Sequence, residues 1–215
     1  MNAQFATTLL PLPAALQSRS LPGCGPPARR RPGDGLSIRA KALVRFNRLL
    51  GRLQHVPLER EQLVAAWREL SDRSSRERCA AGIEQRLQLA VAVERMIRDT
   101  TWQAANEAIA PARVVVGYIH GKHELVPRQA ARLDDAIVVD AAWPQLGGEV
   151  NSYLDYCRLR EIEAELRGCP VGQFTFTRED WQQARHAESR LLAHVRRVGQ
   201  TSYLSAETTA LFRIR

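Results

Sequence analysis

The chain has 215 residues, 45% of them apolar and 25% charged, ordinary globular proportions that exclude a fully disordered or fibrous protein. Lys and Arg number 31 against 23 Asp and Glu, a formal net charge of +8, and every cation except Lys41 and Lys122 is an arginine. The excess sits at the ends, since residues 1–35 carry four Arg and one Asp and residues 195–215 four Arg and one Glu; the near-neutral body lacks the broad basic face of a dedicated nucleic-acid domain.

Met1–Leu16 is mildly apolar, but no basic residue precedes its apolar run, and Pro11 and Pro13 interrupt it. It does not read as a secretory signal. Leu21–Gly35 is rich in Pro and Gly, so a disordered extension, dispensable for folding, is expected over 1–35. From Leu36 the apolar residues recur at three- and four-residue steps. Leu36, Ala40, Leu43, Val44, Phe46, Leu50 and Leu53 predict a first helix. Pro57 suits the first turn of a second, carried by Leu58, Leu63, Val64, Trp67 and Leu70 to about Asp72. Ser74 or Ser75 is the expected cap of a third, which holds Cys79, Ile83, Leu87, Leu89, Val93 and Met96. That helix either breaks near Asp99–Thr101 or runs on to Ile109. Pro111 is the expected start of a short helix through Tyr118.

A turn region is expected over His120–Pro127, followed by a helix from about Arg128 to Trp143 that Pro144 stops. Gly147 and Gly148 should break the chain again before a helix from Val150 to Leu166, closed by Gly168 and Pro170. Thr177 with Asp180 resembles a capping box, and Trp181, Ala184, Ala187, Leu191, Leu192 and Val195 follow at helical spacing. The fold class is therefore all-α: a compact multi-helix bundle containing a helical hairpin. Its expected parts are the extension 1–35, a helical domain over 36–198 and a basic tail over 199–215. Trp67, Trp102, Trp143 and Trp181 read as core anchors. No window reaches the ~18 uninterrupted apolar residues of a membrane span. Cys24, Cys79, Cys157 and Cys169 show no C-x-x-C spacing, which points to a reducing, cytoplasmic setting, with membrane association as the alternative.

The most informative stretch is His120–Val139, H-G-K-H-E-L-V-P-R-Q-A-A-R-L-D-D-A-I-V-V. Glu124-Leu125-Val126-Pro127, then Leu133-Asp134-Asp135-Ala136-Ile137-Val138-Val139, entered from Tyr118, resembles the YkvA family, a bacterial domain of unknown function. The hallmark of that family is Asp-Leu-Ile-Pro-Asp, a short apolar loop, and Leu-Asp-Asp at the head of an apolar helix. The resemblance covers about 105–145, with Glu124 in place of the first acid and Arg128 where the second would stand. It implies a helical hairpin found in membrane-associated or small soluble bacterial proteins, with no established activity.

Adjacent helical residues point about 100° apart, so Asp134 and Asp135 cannot form a bidentate clamp by themselves. On so apolar a helix each carboxylate must be paired or hydrated. Arg132, Arg113, Arg128, Lys122 and Tyr118 are the candidate partners. The expected arrangement is a structural network in which Asp135 meets a buried arginine and Asp134 matters less. The competing one gathers Glu124, Asp134 and Asp135 around a divalent cation or a reacting group. His120 and His123 are weaker candidates, because H-G-K-H-E matches neither zinc-helix pattern and Gly121 disfavours a continuous helix; no metal or cofactor is assigned. Arg29, Arg30 and Arg31, and Arg190, Arg196 and Arg197, form the basic surface. The reading that follows is a helical interaction or scaffold protein, soluble or peripheral to a membrane. A metal-dependent hydrolase-like enzyme and arginine-mediated nucleic-acid binding are the alternatives. The charge favours an acidic protein or an anionic membrane surface as partner, ahead of nucleic acid.

Overall fold

Apolar residues at helical spacing become helices throughout, and the described residues contain no strand. In the computed structural model the described residues are 7–17, 38–121, 125 and 132–201. They divide into two compact units, 7–155 and 156–201, the division falling within one long helix. The stretch 36–198, read above as one helical domain, contributes to both.

The first unit holds α1 (Ala14–Gln17), α2 (Ala40–Arg52), α3 (Arg60–Ser71), α4 (Arg73–Arg98), α5 (Asn106–Ile119) and the start of α6 (Leu133–Leu166). α4 packs against α3 and α5, and α1 against α3. α2 buries Phe46 and Leu50, one turn apart, and keeps Arg45 and Arg48 in solvent. α3 begins at Arg60, where Glu59 and Gln62 form a reciprocal capping box; Pro57 lies outside it. α4 begins directly after Asp72, whose carboxylate accepts hydrogen bonds from the Ser74 and Ser75 hydroxyls. These two serines therefore sit inside the first turn rather than capping it, and their bonds hold the Asp72 carboxyl below its ordinary value. α4 stops at Arg98, and Asp99 closes a turn by accepting from the Thr101 backbone N–H at 2.9 Å.

Two expectations about helix boundaries fail for the same reason. α5 starts at Asn106, not Pro111, and α6 runs unbroken through Pro144, Gly147 and Gly148. Around the supposed breaks the chain buries Ala108, Pro111, Ala112 and Val115 on α5, and Ala141, Ala142, Leu146 and Val150 on α6. Burying a Val or Leu side chain is worth about 1.5–3 kcal/mol, so Val115, Leu146 and Val150, with the alanines packed beside them, offset the local penalties of proline and glycine. Gly147 has its own reason: the Trp143 ring lies over it, and a β-carbon there would come within 2.9 Å of that ring. Between Leu133 and Ala142 only Asp135 and Asp140 escape full burial. This apolar-all-round segment is the central helix of its unit.

The expected disordered extension is also corrected in part. Residues 7–17 form a strap across α3, α4 and α6, with Leu12 only 5% exposed. Glu69 of α3 receives the Ala14 and Ala15 N–H groups at 2.7 and 2.9 Å, satisfying the open end of α1. Gln85 of α4 both receives the Leu10 N–H at 2.8 Å and donates to the Thr8 carbonyl at 3.0 Å. Thr7 donates its hydroxyl to Asn151 of α6 at 2.6 Å. The Arg86 guanidinium, 3% exposed, ties the layers together: Nη1 reaches the Leu10 and Gly82 carbonyls, and Nε and Nη2 both reach Asp140 Oδ1. Pro and Gly content hid this because the contacts are all to distant residues. The remainder of 1–35, including Arg29–Arg31, lies outside the described residues.

The second unit joins the end of α6 to α7 (Arg178–Thr201) through a 3-10 turn, Val171–Gln173. Gly168 (φ 65°) ends α6 as expected, letting the Cys169 N–H return to the Ala164 carbonyl at 3.0 Å. Tyr156 donates its hydroxyl to the Phe176 carbonyl at 2.8 Å and stacks on the Phe176 ring, while Phe174 stacks on Phe176 and Arg167 lies over Phe174. The Thr177–Asp180 capping box is present, and its hydrogen bonds, led by the Thr177 backbone N–H, lower the Asp180 pKa. α7 runs past the expected start of the tail; residues 202–215 lie outside the described residues.

The strap makes a test of sign available. A methyl group at Gly82 would overlap the Pro11 carbonyl oxygen, whereas one at Gly117 meets nothing within 4 Å. Gly82→Ala is expected to lower stability by about 1–3 kcal/mol, as overpacking does. Gly117→Ala is expected to raise it by up to about 1 kcal/mol, the helical preference of alanine. Urea unfolding of the two variants reads both.

Candidate functional site

The hairpin turn connects α5 to α6. Tyr118 is on the last turn of α5, His120 caps its C-terminus, and Leu125 is buried within the turn. Arg132 takes a left-handed backbone conformation (φ 57°) immediately before the helix, so α6 begins at Leu133 and not near Arg128. Asp134 and Asp135 therefore fall in the first turn of α6, where the helix dipole favours a negative charge.

The two aspartates part company at once, as their angular separation requires. Asp134 turns inward, 7% exposed, and accepts a hydrogen bond from the Tyr118 hydroxyl at 2.9 Å. The Tyr118 ring is itself buried against Phe46, with centroids 5.6 Å apart. Asp135 turns outward and pairs with Arg132, whose Nε lies 2.7 Å from Oδ2; the guanidinium side chain is 55% exposed. The expected order is thus reversed. Asp134 is the buried member, its partner is a phenol rather than an arginine, and the arginine serves Asp135 at the surface. Among the described candidate partners Tyr118 is buried, whereas Arg113 and Arg132 are exposed.

Burial dominates the electrostatics of this pair. Desolvation pushes the Asp134 carboxyl above its ordinary value, against the stabilising bond from Tyr118, and the neighbouring Asp135 charge pushes the same way. Desolvation likewise raises the Tyr118 hydroxyl, helped by the charge of Asp134, so the phenol stays the donor. His120 does not join the aspartates. It meets Glu94 of α4, Nε2 to Oε2, at 2.9 Å, and that hydrogen bond, with Arg98 nearby, holds the Glu94 carboxyl below its ordinary value. Of the other candidates, Lys122, His123, Glu124 and Arg128 lie outside the described residues, and Arg113 of α5 is exposed. No group of three or more His, Cys, Asp or Glu side chains suited to a metal ion occurs among the described residues. Arg190, Arg196 and Arg197 all lie on exposed positions of α7.

Two polar networks were not foreseen. One is Arg86 with Asp140. The other pins the α4–α5 connection onto α6: Glu149 Oε1 receives both the Trp102 indole N–H and the Ala105 backbone N–H, each at 3.0 Å. Tyr153 packs edge-on to Trp102 and donates its hydroxyl to Asp99 at 3.3 Å. Trp102 is fully buried, as expected of a core anchor, but its indole nitrogen needs an acceptor there. That need is the one sequence signal that pointed to a buried acid.

Comparison with protein-family models, with curated proteins and with solved structures finds no match to the chain.

The raised Asp134 carboxyl has a defined consequence for stability. Above about pH 4 the unfolded chain releases this proton while the folded protein still holds it, so folding stability falls as pH rises toward the folded value. Asp72, Glu94 and Asp180, whose carboxyls are lowered, act with the opposite sign, so the difference between wild type and variant is the quantity to measure. Asp134→Asn is expected to remove the falling component and to match or exceed wild-type stability at neutral pH, since Asn still accepts from Tyr118. Tyr118→Phe should cost about 1–3 kcal/mol by leaving a buried acceptor without its donor. Denaturant unfolding across the acidic range checks both.

Proposed function

We propose that the protein is a helical interaction or scaffold protein of the YkvA-like type, which presents its helices to an acidic protein or an anionic membrane surface and has no chemistry in the hairpin. The observation that carries the reading is the engagement of both aspartates. One Asp134 oxygen takes a phenolic hydrogen bond inside the core, and Asp135 is ion-paired with Arg132. A carboxylate that moves a proton or holds a cation must aim its oxygens at a reactant in a cleft. Here Tyr118 and Asp134 instead lock the end of α5 to the start of α6, where a helical hairpin needs a fixed crossing. No helix of the described residues is long and apolar enough to cross a membrane, which fits docking at a surface rather than insertion.

The test separates this from an acidic cation or catalytic site. Wild type, Asp134→Ala and Asp135→Ala are unfolded in urea with and without added magnesium, manganese or calcium. Asp134→Ala should cost about 1–3 kcal/mol for the orphaned buried phenol, and Asp135→Ala about 1 kcal/mol or less, because the partner it leaves, Arg132, is solvated. Neither difference should depend on the cation. A cation-dependent stabilisation present only in wild type would overturn the scaffold reading of the hairpin.

A further inference from the structure

The second half of α7 stands in solvent. Every residue from His186 to Val198 is exposed, including Leu191 at 63%, Leu192 at 51%, Val195 at 57% and Val198 at 52%. At about 100° per residue these four share an arc of roughly 120°. Arg196 borders the arc beyond Leu192, and His194 and Arg190 border it on the other side. No acidic residue occurs between Ser189 and Val198. An apolar stripe with arginine on both margins is the arrangement by which a helix lies flat in a lipid interface. Its aliphatic groups enter the acyl boundary while the long arginine stems reach back to the headgroups.

We propose that the Leu191–Val198 segment of α7 docks the protein onto an anionic phospholipid surface. The inference rests on the interaction-protein reading and names its partner. Charge selects the occupant. In a parallel pair with a second copy, Arg190 and Arg196 would repeat on both sides of the seam with no acid to answer them. In an antiparallel pair centred on the stripe, Arg190 and Arg196 again flank the seam, and the nearest acid on the helix, Glu188, is already ion-paired with Arg185 at 2.5 Å. An anionic bilayer supplies the apolar layer and the negative headgroups together, at the spacing both margins need.

The full chain is sedimented with vesicles of phosphatidylcholine alone and of phosphatidylcholine with phosphatidylserine, at low and high salt. Wild type is expected to bind the anionic vesicles, to bind neutral ones at least tenfold more weakly, and to be released by salt. Leu191→Ser/Val195→Ser and Arg190→Gln/Arg196→Gln, all at exposed positions and checked as folded by circular dichroism, should each weaken binding by about tenfold or more. Wild type that fails to bind anionic vesicles overturns the proposal and leaves an acidic protein as the partner of the scaffold. Binding that neither double variant weakens overturns it too, because the lipid contact then lies elsewhere. A lipid-independent dimer that Leu191→Ser/Val195→Ser dissociates assigns the stripe to a second copy. The cation experiment on Asp134 and Asp135 is blind to all three results, so the two readings fail separately.

Discussion

A guanidinium placed in a helical interior stays charged and keeps five N–H groups to satisfy, so its surroundings are dictated by it. Arg86 is in that position. Asp140 supplies the counter-charge from α6, the Gly82 carbonyl a bond from its own helix, and the Leu10 carbonyl a bond from the strap. Withdrawing one partner of a buried pair typically costs about 3–5 kcal/mol, though Asp140 is part-exposed and softens that penalty. The separation of α4 from α6 and the seat of the strap follow from this one side chain. Gly82 belongs to the same arrangement, since it lets the strap backbone approach α4 closely enough for Arg86 to reach it.

The amino-acid pattern made some of this plain and concealed the rest, for identifiable reasons. Helical periodicity at Phe46, Leu50 and Leu53 and along α4 is local information, and so is the Thr177–Asp180 cap; these were legible. Pro144 and Gly147–Gly148 were misleading because their propensities are local while the burial that overrides them is tertiary. Arg86 and Asp140 are 54 positions apart, and nothing in either neighbourhood announces the other. At the hairpin the spacing correctly required Asp134 and Asp135 to face differently. Which of them faced inward depended on where α6 begins, and that was set by the backbone of Arg132, which the residue type does not advertise.

The hairpin and the Trp102–Glu149 network solve a shared problem at the two ends of α5. Each places a carboxylate of α6 opposite an aromatic donor buried by the core: the Tyr118 hydroxyl for Asp134 and the Trp102 indole for Glu149. Tyr118 and Trp102 are both buried, and their single polar atoms then require an acceptor. The acids are thus specified by the aromatics, and the resulting bonds fix the angle at which α5 meets α6.

The strap also orders events in time. Its partners are far along the chain: Leu10 reaches Gln85 across 75 positions, and Thr7 reaches Asn151 across 144. During synthesis residues 7–17 emerge before α3, α4 and α6, yet the surface they cover exists only when those helices have been made and assembled. Until then Leu12 has no seat and the Arg86 guanidinium lacks one of its acceptors. The strap is held by a few hydrogen bonds and the seat of Leu12 rather than by a packed helix face, so it opens at lower free energy than the central helix. Amide exchange along 7–17 would then report partial opening of a unit whose central helix remains fully protected.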